Sequence, residues 1–326
     1  EDPDELAEAI ARRPAAEVED AVFAAGGIAA AVRTRAEWES HPQGRAVREE
    51  ALIGHTSGAS AAPSSARPGH RPASGVRVLD LTRVIAGPVC TRYLGALGAD
   101  VLRIDPPGHA DMHPGEPSDT LFGKRSAPMD LAVEQGETVR GLLAGADVAV
   151  TGYRPGALDR FGLGADALAE DWPGLVIVQL DAWGHSGPWA GRRGFDSVVQ
   201  APTGIAIGES ADGEMPGALP CQLLDHGTGY LAAGAALDGL YRQRTEGGTH
   251  LRRLSLARTA AFLATTWSEG ATPGSAGPQE RPWVRDHPTA DGPIRAVDPP
   301  GSIGGSGLRW PGPPARYLAD PPTWLR

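Results

Sequence analysis

Short runs of β-branched and other apolar residues alternate with amphipathic helical segments through the middle of the chain. Strands are predicted at residues 76–81, 101–105, 148–150 and 175–180, which read VRVLDL, VLRID, VAV and LVIVQL. Helices are predicted near residues 89–97, 134–145 and 226–241. Strands that alternate with helices are typical of βαβ units, so we expect an α/β fold in which helices flank a Rossmann-like parallel sheet.

The composition changes on both sides of this region. Residues 1–55 are acidic, alanine-rich and helical in spacing, whereas residues 56–74 are rich in serine, alanine, glycine and proline and are predicted to be a linker. The large domain is expected over residues 75–269. Residues 270–326 hold too much proline and glycine for regular elements beyond one strand at 293–297, so an extended C-terminal arm along the large domain is predicted. Its SIGGSG stretch is interpreted as a flexible turn.

The charge balance narrows the choice of partners. The chain has 326 residues, with 40 acidic and 30 basic side chains and a net charge of −10. That balance argues against a general nucleic-acid surface and against binding to an anionic membrane. No apolar run approaches the ~20 residues that span a bilayer, and no charged-then-apolar leader opens the sequence, so a cytoplasmic location is expected. The single lysine among the 30 basic residues suggests a GC-rich bacterial source.

Several familiar catalytic signatures are missing from the sequence. The first predicted strand is followed by TRVIAGPVC, which contains no G-x-G-x-x-G, so a nicotinamide or flavin enzyme is disfavoured. The nucleotide-binding P-loop, the H-E-x-x-H helix and the G-x-S-x-G elbow are absent too. Cys90 and Cys221 lie far apart without metal-ligand spacing, so neither a metal site nor a disulfide framework is expected.

A series of short motifs does resemble one family. In chain order they are LDLTRVIAGP, LGADVLRID, KRS followed by MDL, YRPGALDRFGLG, GHSGPW followed by GFD and a glutamine, and LLDHGTGYLAA. Their order and spacing over about residues 75–262 resemble a family III CoA-transferase. Each motif is weak alone, and the series together is specific.

The resemblance implies a function and a mechanism. Members of this family bind coenzyme A at the strand ends, pair as interlocked dimers and move CoA from an acyl-CoA donor to a carboxylic acid acceptor, with no metal. An aspartate is the nucleophile and passes through anhydride and aspartyl-CoA thioester intermediates. The matching position here is Asp225, where a helix N-terminus would keep the carboxylate ionised. From spacing alone, an ordinary helix N-cap is the favoured interpretation of Asp225, and only the resemblance makes it the nucleophile.

The resemblance also implies where coenzyme A would be held, and its negative charges require arginines gathered locally. The implied contacts are Arg83, Val84, Ala86, Lys124, Tyr153, Arg154, Arg160 and Arg193. An alternative remains for several of the arginines, which could be solvated or pair with Asp105, Asp159 or Asp196. Lys124 could likewise lie in a surface turn. His226, next to Asp225, is interpreted as a surface or capping residue.

The sequence departs from the family pattern in three places. Pro106 stands where many relatives carry an arginine that packs on adenine, and Gly152 replaces a frequent asparagine. The motifs also follow an unusual order, because residues 15–50 resemble the part that normally comes near the family's C-terminus. We therefore expect a fused or rearranged form that acts as a homodimer or as the partner of a longer chain.

Two other functions remain open. Acyl-CoA racemases of the same fold use a histidine directly before the aspartate of the G-x-D element, and here that position is Phe195, which cannot transfer a proton. The second alternative is a catalytically degenerate subunit that keeps the fold and relies on another chain. The donor and acceptor acids are not predicted.

Overall fold

A computed structural model describes residues 3–65, 69–108, 119–132, 136–266, 283–289 and 292–325. Its helices are α1 Pro3–Ala11, α2 Ala15–Ala24, α3 Arg35–Ser40, α4 Pro42–Glu49, α5 Ala86–Ala96, α6 Glu137–Ala144, α7 Ala165–Asp171, α8 Asp196–Gln200, α9 Ile205–Gly208, α10 Leu223–Thr245 and α11 Leu256–Thr266. Its strands are β1 Gly54–Ser57, β2 Arg77–Leu81, β3 Asp100–Asp105, β4 Lys124–Pro128, β5 Val148–Thr151, β6 Val176–Asp181, β7 His250–Ser255, β8 Val284–His287, β9 Ile294–Val297, β10 Ser302–Ile303 and β11 Ser306–Gly307. No described helix is both long and apolar enough to cross a membrane.

Seven strands form the central sheet, in the order β1-β7-β6-β5-β2-β3-β4. All neighbours are parallel except β1, which pairs antiparallel with β7. The inner strands are buried along most of their length, as expected when helices cover both faces of a parallel sheet. The predicted α/β fold with a large parallel sheet and flanking helices is confirmed.

Alternate residues of the strands enter two separate cores, because successive side chains of a strand point to opposite faces. On one face, Val78 and Val150 pack against α5 and α10. On the other, Leu79 and Ile177 pack against α6 and α7. Gly229 lets α10 approach α5 closely, since a Cβ atom there would lie 2.6 Å from the carbonyl oxygen of Ala86. This contact fixes the first turns of α10 against the start of α5.

The four predicted strands are found within about one residue of their predicted bounds, but three strands of the sheet were not predicted. These are β1, β4 and β7, which read GHTS, KRSAP and HLRRLS. Polar side chains of β4 and β7 are buried beside partners from other elements of the chain. Arg252 of β7 pairs with Asp238 of α10, and His250 lies 3.1 Å from His55 of β1.

Strand β1 crosses the boundary predicted between the N-terminal segment and the linker. His55 pairs with Arg252 and Ser57 with His250, so the first residues of the expected linker belong to the sheet. The chain continues beside the same edge, where the Gly58 amide donates to the Thr249 carbonyl at 2.8 Å. The segment is therefore tied to the sheet where it leaves β1.

The helical N-terminal segment packs on the large domain. Trp38 of α3 and Val47 of α4 share a core with Trp183 and Trp189. Glu19 of α2 is buried and receives hydrogen bonds from the Arg33 guanidinium at 2.8 Å and 2.9 Å, with Arg192 nearby. A buried carboxylate is tolerated when it is paired in this way.

The C-terminal arm holds more regular structure than predicted. Besides β9, which matches the predicted strand, β8 pairs with β9 and SIGGSG forms the β10–β11 hairpin. Gly304 and Gly305 have φ values of 57° and 81°, which suit a tight two-residue hairpin turn. Further along, Asp320 accepts a hydrogen bond from the Ser126 amide of β4 at 2.8 Å. Residues 270–282 of the predicted arm lie outside the described residues.

Candidate active site

The candidate site lies where the strand order of the sheet reverses. Strand β3 follows β2 on one side and β5 lies on its other side, so the loops that leave the carboxyl ends of β2 and β5 diverge and open a crevice between them. A cleft of about 220 Å³ occupies this position. It is also lined by residues at the ends of β6 and β7.

Six of the eight predicted coenzyme A contacts line this cleft. They are Arg83, Val84 and Ala86 after β2, Tyr153 and Arg154 after β5, and Arg193. Arg154 and Arg193 are exposed, so their guanidinium groups remain accessible to an anion. Tyr153 is a neutral phenol here, because burial and the nearby Asp105 raise its pKa well above the usual range. The cleft thus combines cationic groups with a hydrogen-bond donor.

The structure does not bring the other two predicted contacts into the cleft. Arg160 is exposed, and its guanidinium lies 4.5 Å from the ring centroid of Phe161. Lys124 is buried on β4 with its Nζ 2.8 Å from Asp80 Oδ2. This ammonium group would have to leave its partner before it could contact a ligand. Lys124 is therefore not in the surface turn that the sequence left open.

Asp80 ties Lys124 to the loop after β2. Its carboxylate also accepts hydrogen bonds from the Thr82 amide at 3.0 Å and from the Thr91 hydroxyl at 2.6 Å. Burial alone would disfavour the charged form, but Lys124 and then Arg103 outweigh it and hold the pKa of Asp80 below its ordinary value. An ionised, multiply bonded Asp80 fixes the start of the loop that carries Arg83 and Val84.

Val84 adopts a backbone conformation that β-branched residues rarely take. Its φ is 68°, in the left-handed region, and its side chain is 46% exposed at the cleft. Such strain costs of order 1–3 kcal/mol and persists only where the surroundings impose it. Here the bonds around Asp80 on one side and helix α5 on the other hold the loop. The strained residue is one of those that the resemblance places against CoA.

Asp105 and Asp196, two of the acidic residues that the sequence offered as partners for the candidate arginines, contact other groups. Asp105, at the end of β3, pairs with Arg103 of the same strand at 2.6 Å, and both side chains are fully buried. Arg103 is not one of the predicted coenzyme A contacts. Asp196 bonds to Gln200 and to the Asp225 amide, as described below.

Asp225 lies in the cleft wall, in the first turn of α10, where Gln222 and not Asp225 is the N-cap residue. It is 7% exposed. Burial, followed by repulsion from Asp196, raises the pKa of Asp225 to about 7. The expectation that the helix N-terminus keeps this carboxylate ionised is therefore wrong at acidic pH, since desolvation and a like charge outweigh the helix dipole. A carboxylate that titrates near neutrality is typical of a functional group.

Asp196, the aspartate of the G-x-D element, was predicted as a possible partner of arginine, and the structure places it against the backbone of the candidate nucleophile. One of its carboxylate oxygens accepts a hydrogen bond from the Asp225 amide at 2.9 Å, and the other accepts from Gln200. Gln200 in turn accepts from the Leu219 amide at 2.9 Å. The network positions Asp225 and places a second negative charge near it. No local sequence signal links residues 29 positions apart, so only the fold reveals this contact.

Part of the cleft lining is apolar. It is formed by Ile28, Leu180, Ala182, Phe195 and Leu256. Ile28 comes from the N-terminal segment, which the sequence analysis did not connect with the site. The segment is held there because Glu19 accepts a hydrogen bond from the Ala31 amide at 2.7 Å.

The structure shows where His226 and Phe195 lie relative to the cleft. His226 is half-buried and is not among the residues that line the cleft, and burial together with Arg92 lowers its pKa. Phe195, in the position where racemases carry histidine, does line the cleft and is 47% exposed. Within the described ranges, no group of three or more histidine, cysteine or acidic residues could hold a metal ion.

Comparisons with known proteins identify the family of the chain. Residues 73–297 match the model of CoA-transferase family III. The chain is 35% identical over 206 residues to the probable fatty acyl-CoA transferase Rv3272 of Mycobacterium tuberculosis, covering 59% of this chain and 52% of that protein. It is 34% identical over 209 residues to succinyl-CoA:glutarate CoA-transferase of Mus musculus, covering 59% and 47%.

Solved structures give the same result. A crystal structure of Rv3272 matches with a TM-score of 0.55 and 31% identity over 61% of this chain and 59% of that one. A CAIB/BAIF family protein from Brucella suis matches with a TM-score of 0.55 and 27% identity over 69% and 65%. The chain spans about half the length of the curated relatives it matches. Because the family match covers more than half of the chain, this protein belongs to CoA-transferase family III.

Proposed function

We propose that this protein transfers coenzyme A from an acyl-CoA donor to a carboxylic acid, with Asp225 as the nucleophile. The observation that carries the proposal is a buried carboxylate with a pKa of about 7 in a cleft that also exposes Arg154 and Arg193. The names of the relatives, which include fatty acyl-CoA and succinyl-CoA transferases, support the same class of reaction.

The proposed steps conserve the thioester energy. The Asp225 carboxylate attacks the thioester carbonyl, the CoA thiolate leaves, and a mixed anhydride forms. The thiolate then attacks the aspartyl carbonyl, which releases the donor acid and leaves an aspartyl-CoA thioester. The acceptor carboxylate attacks this thioester, and return of the thiolate to the acyl carbonyl of the second anhydride yields the new acyl-CoA and free Asp225. Desolvation makes the carboxylate a better nucleophile, and binding supplies high effective molarity.

The polar and the apolar residues of the cleft lining suit the two parts of an acyl-CoA. Arg83, Arg154 and Arg193 would bind the phosphates, and Tyr153 would donate a hydrogen bond. The apolar part, with Ile28 and Phe195, would receive the acyl chain. Arg160 and Lys124 stay weaker candidates for contact with CoA, since neither lines the cleft. We also propose that the protein forms a homodimer or pairs with a longer chain, and that it is cytoplasmic.

The test is to trap the covalent intermediate. Purified protein is incubated with a panel of acyl-CoA donors from acetyl to dodecanoyl, treated with hydroxylamine or borohydride, and analysed by peptide mass spectrometry. The expected result is a modification at Asp225 that is absent from Asp225→Asn. Asp171→Asn, at an aspartate that is 47% exposed on the surface, is the matched control and should keep the modification. Modification of Asp225→Asn at the wild-type level would refute the nucleophile.

A second candidate is a subunit that binds acyl-CoA and needs another chain to react. The observation that favours it is that the chain spans about half the length of its curated relatives. It predicts that acyl-CoA binds while no donor of the panel modifies Asp225 in the isolated chain. Binding is measured by equilibrium dialysis with labelled acyl-CoA, and Arg154→Gln should weaken it.

A further inference from the structure

A second cavity, of about 870 Å³, lies between the C-terminal arm and the helices α5 and α10. It shares no lining residue with the active-site cleft. Arg92 of α5 and Tyr230 of α10 form one side. Residues of the arm, from Trp283 to Trp310, form the other. The proposed transfer of coenzyme A uses none of these residues.

Two arginines of this cavity converge on one carboxylate oxygen. Arg285 Nε and Arg309 Nη1 each lie 2.7 Å from Asp298 Oδ2. The side chain of Asp298 is 3% exposed, whereas those of Arg285 and Arg309 are 44% and 51% exposed. One buried carboxylate therefore fixes two guanidinium groups and cannot neutralise both. Their remaining N–H groups are accessible to a further anion.

The net charge of the lining is positive although the protein is acidic overall. Four arginines line the cavity, namely Arg92, Arg285, Arg295 and Arg309, against the two carboxylates of Asp119 and Asp298. Arg295 is also paired with Asp286 at 2.8 Å, which leaves an excess of one positive charge. Arg92 is 8% exposed, pairs with Asp119 through Nη1, and has a buried Nε without a hydrogen-bond partner among the described residues. A local excess of positive charge in a protein of net charge −10 favours an anionic ligand.

Aromatic rings lie beside these arginines. The ring of Trp310 stacks on Phe122 with centroids 5.1 Å apart and planes 21° apart, and the Arg92 guanidinium lies 5.5 Å from the Trp310 centroid. Trp283 also lines the cavity and is 50% exposed. Flat, exposed rings bind other planar rings by stacking.

We propose that this cavity binds a nucleotide, with its base against Trp283 and its phosphates at Arg285 and Arg309. Forked guanidinium groups match phosphate oxygens, and the tryptophan ring matches a planar base. The cavity volume of about 870 Å³ leaves room for both. A phosphate alone would use the arginines and leave the Trp283 ring without a role.

The test is calorimetric titration of the full chain with ADP and, separately, with inorganic phosphate. The variants at the second cavity are Trp283→Leu and Arg285→Gln, and each is expected to weaken ADP binding by roughly tenfold or more. Trp283→Tyr keeps an aromatic face and should retain binding. Arg140→Gln, at an arginine that is 53% exposed on the surface, is the matched control.

ADP could also enter the active-site cleft, so the titration is repeated in an Arg154→Gln background. Binding there that persists, and is lost on adding Trp283→Leu, supports the second site. Three results would overturn the proposal: no ADP binding in the Arg154→Gln background, equal affinity for ADP in Trp283→Leu and wild type, or equal affinity of the wild type for phosphate and ADP. Circular dichroism of each variant verifies that it is folded.

Discussion

Lys124 Nζ and Asp80 Oδ2 are 2.8 Å apart, and neither side chain is exposed to solvent. The pair joins β4 to β2 across β3, and Asp80 also holds the loop that carries Arg83 and Val84. Lys124 therefore influences the cleft through Asp80 and through the order of this loop.

We expect Lys124→Met to destabilise the protein by about 3 kcal/mol, because it leaves the Asp80 charge buried without its cation. Adding Asp80→Asn removes that charge and should recover part of the loss. The measurement is the free energy of unfolding from urea titration, with Arg140→Met as the surface control. Lower CoA affinity in Lys124→Met with unchanged stability would instead indicate direct contact with the ligand.

The rate of Asp225 modification should rise with pH across neutrality. The nucleophile must be ionised, and its pKa is raised to about 7, so the carboxylate is mostly protonated at pH 6 and mostly charged at pH 8. Asp196→Asn removes the nearby negative charge and should move the midpoint of the pH–rate profile to lower pH. The measurement is the initial rate of adduct formation between pH 5.5 and 8.5. A flat profile in the wild type would contradict the assigned pKa.

Asp225→Asn should make the protein more stable at alkaline pH. Because the folded-state pKa of Asp225 lies above its value of about 4 in the unfolded chain, this group favours folding fully below pH 4, and its contribution is lost as the pH rises through 7. Asparagine is uncharged, so the variant does not lose stability at this position as the pH rises. A pKa difference of about three units corresponds to about 4 kcal/mol at pH 8 and to about 1 kcal/mol at pH 5, so we expect the gain to be larger at pH 8 by about 2–3 kcal/mol. Thermal unfolding at both pH values gives the comparison.

We expect Val84→Gly to stabilise the fold and to make the loop that carries Arg83 less ordered. Glycine adopts the φ of 68° without strain, and relief of that strain should offset the entropy that glycine gains in the unfolded chain, for a net gain of up to about 1 kcal/mol. Val32 is a matched control, since it is 44% exposed against 46% for Val84, has no positive φ and should lose stability as glycine. Urea unfolding measures stability, and dialysis measures CoA affinity, which should fall for Val84→Gly.

Ile28→Trp should shift donor preference toward short acyl chains. The larger ring would fill the apolar part of the cleft that Ile28 shares with Phe195 and Leu256. Acetyl-CoA should still modify Asp225, whereas dodecanoyl-CoA should react at least about tenfold more slowly. Val32→Trp adds the same bulk to the same segment outside the cleft lining and should leave the preference unchanged. Equal slowing for both donors would place Ile28 outside the acyl path.

The strands that could be predicted from the sequence are those rich in apolar residues. β2, β3, β5 and β6 enter the two cores with valine, leucine and isoleucine on alternate positions. β7 could not be predicted in this way, because its His250 and Arg252 are buried through contacts with His55 and Asp238, which only the folded chain supplies.

Some residues of the candidate site could likewise be predicted from the sequence, and others could not. Arg83, Tyr153, Arg154 and Asp225 stand next to predicted strands or helices, so the topology of a parallel sheet is enough to bring them together. Asp196 contacts Asp225, and Ile28 lines the cleft, through tertiary contacts that have no local signal in the sequence. The pKa of Asp225 was misjudged because burial and the charge of Asp196, unlike a helix terminus, are not visible in a sequence.

Strand β1 hydrogen-bonds to β7, although nearly two hundred positions separate His55 from its partner Arg252. During translation, β1 therefore leaves the ribosome long before β7 is synthesised. Until then β1 has no partner strand. During that interval its backbone amides and carbonyls are open to other chains, which makes a chaperone that shields this stretch a natural aid to synthesis.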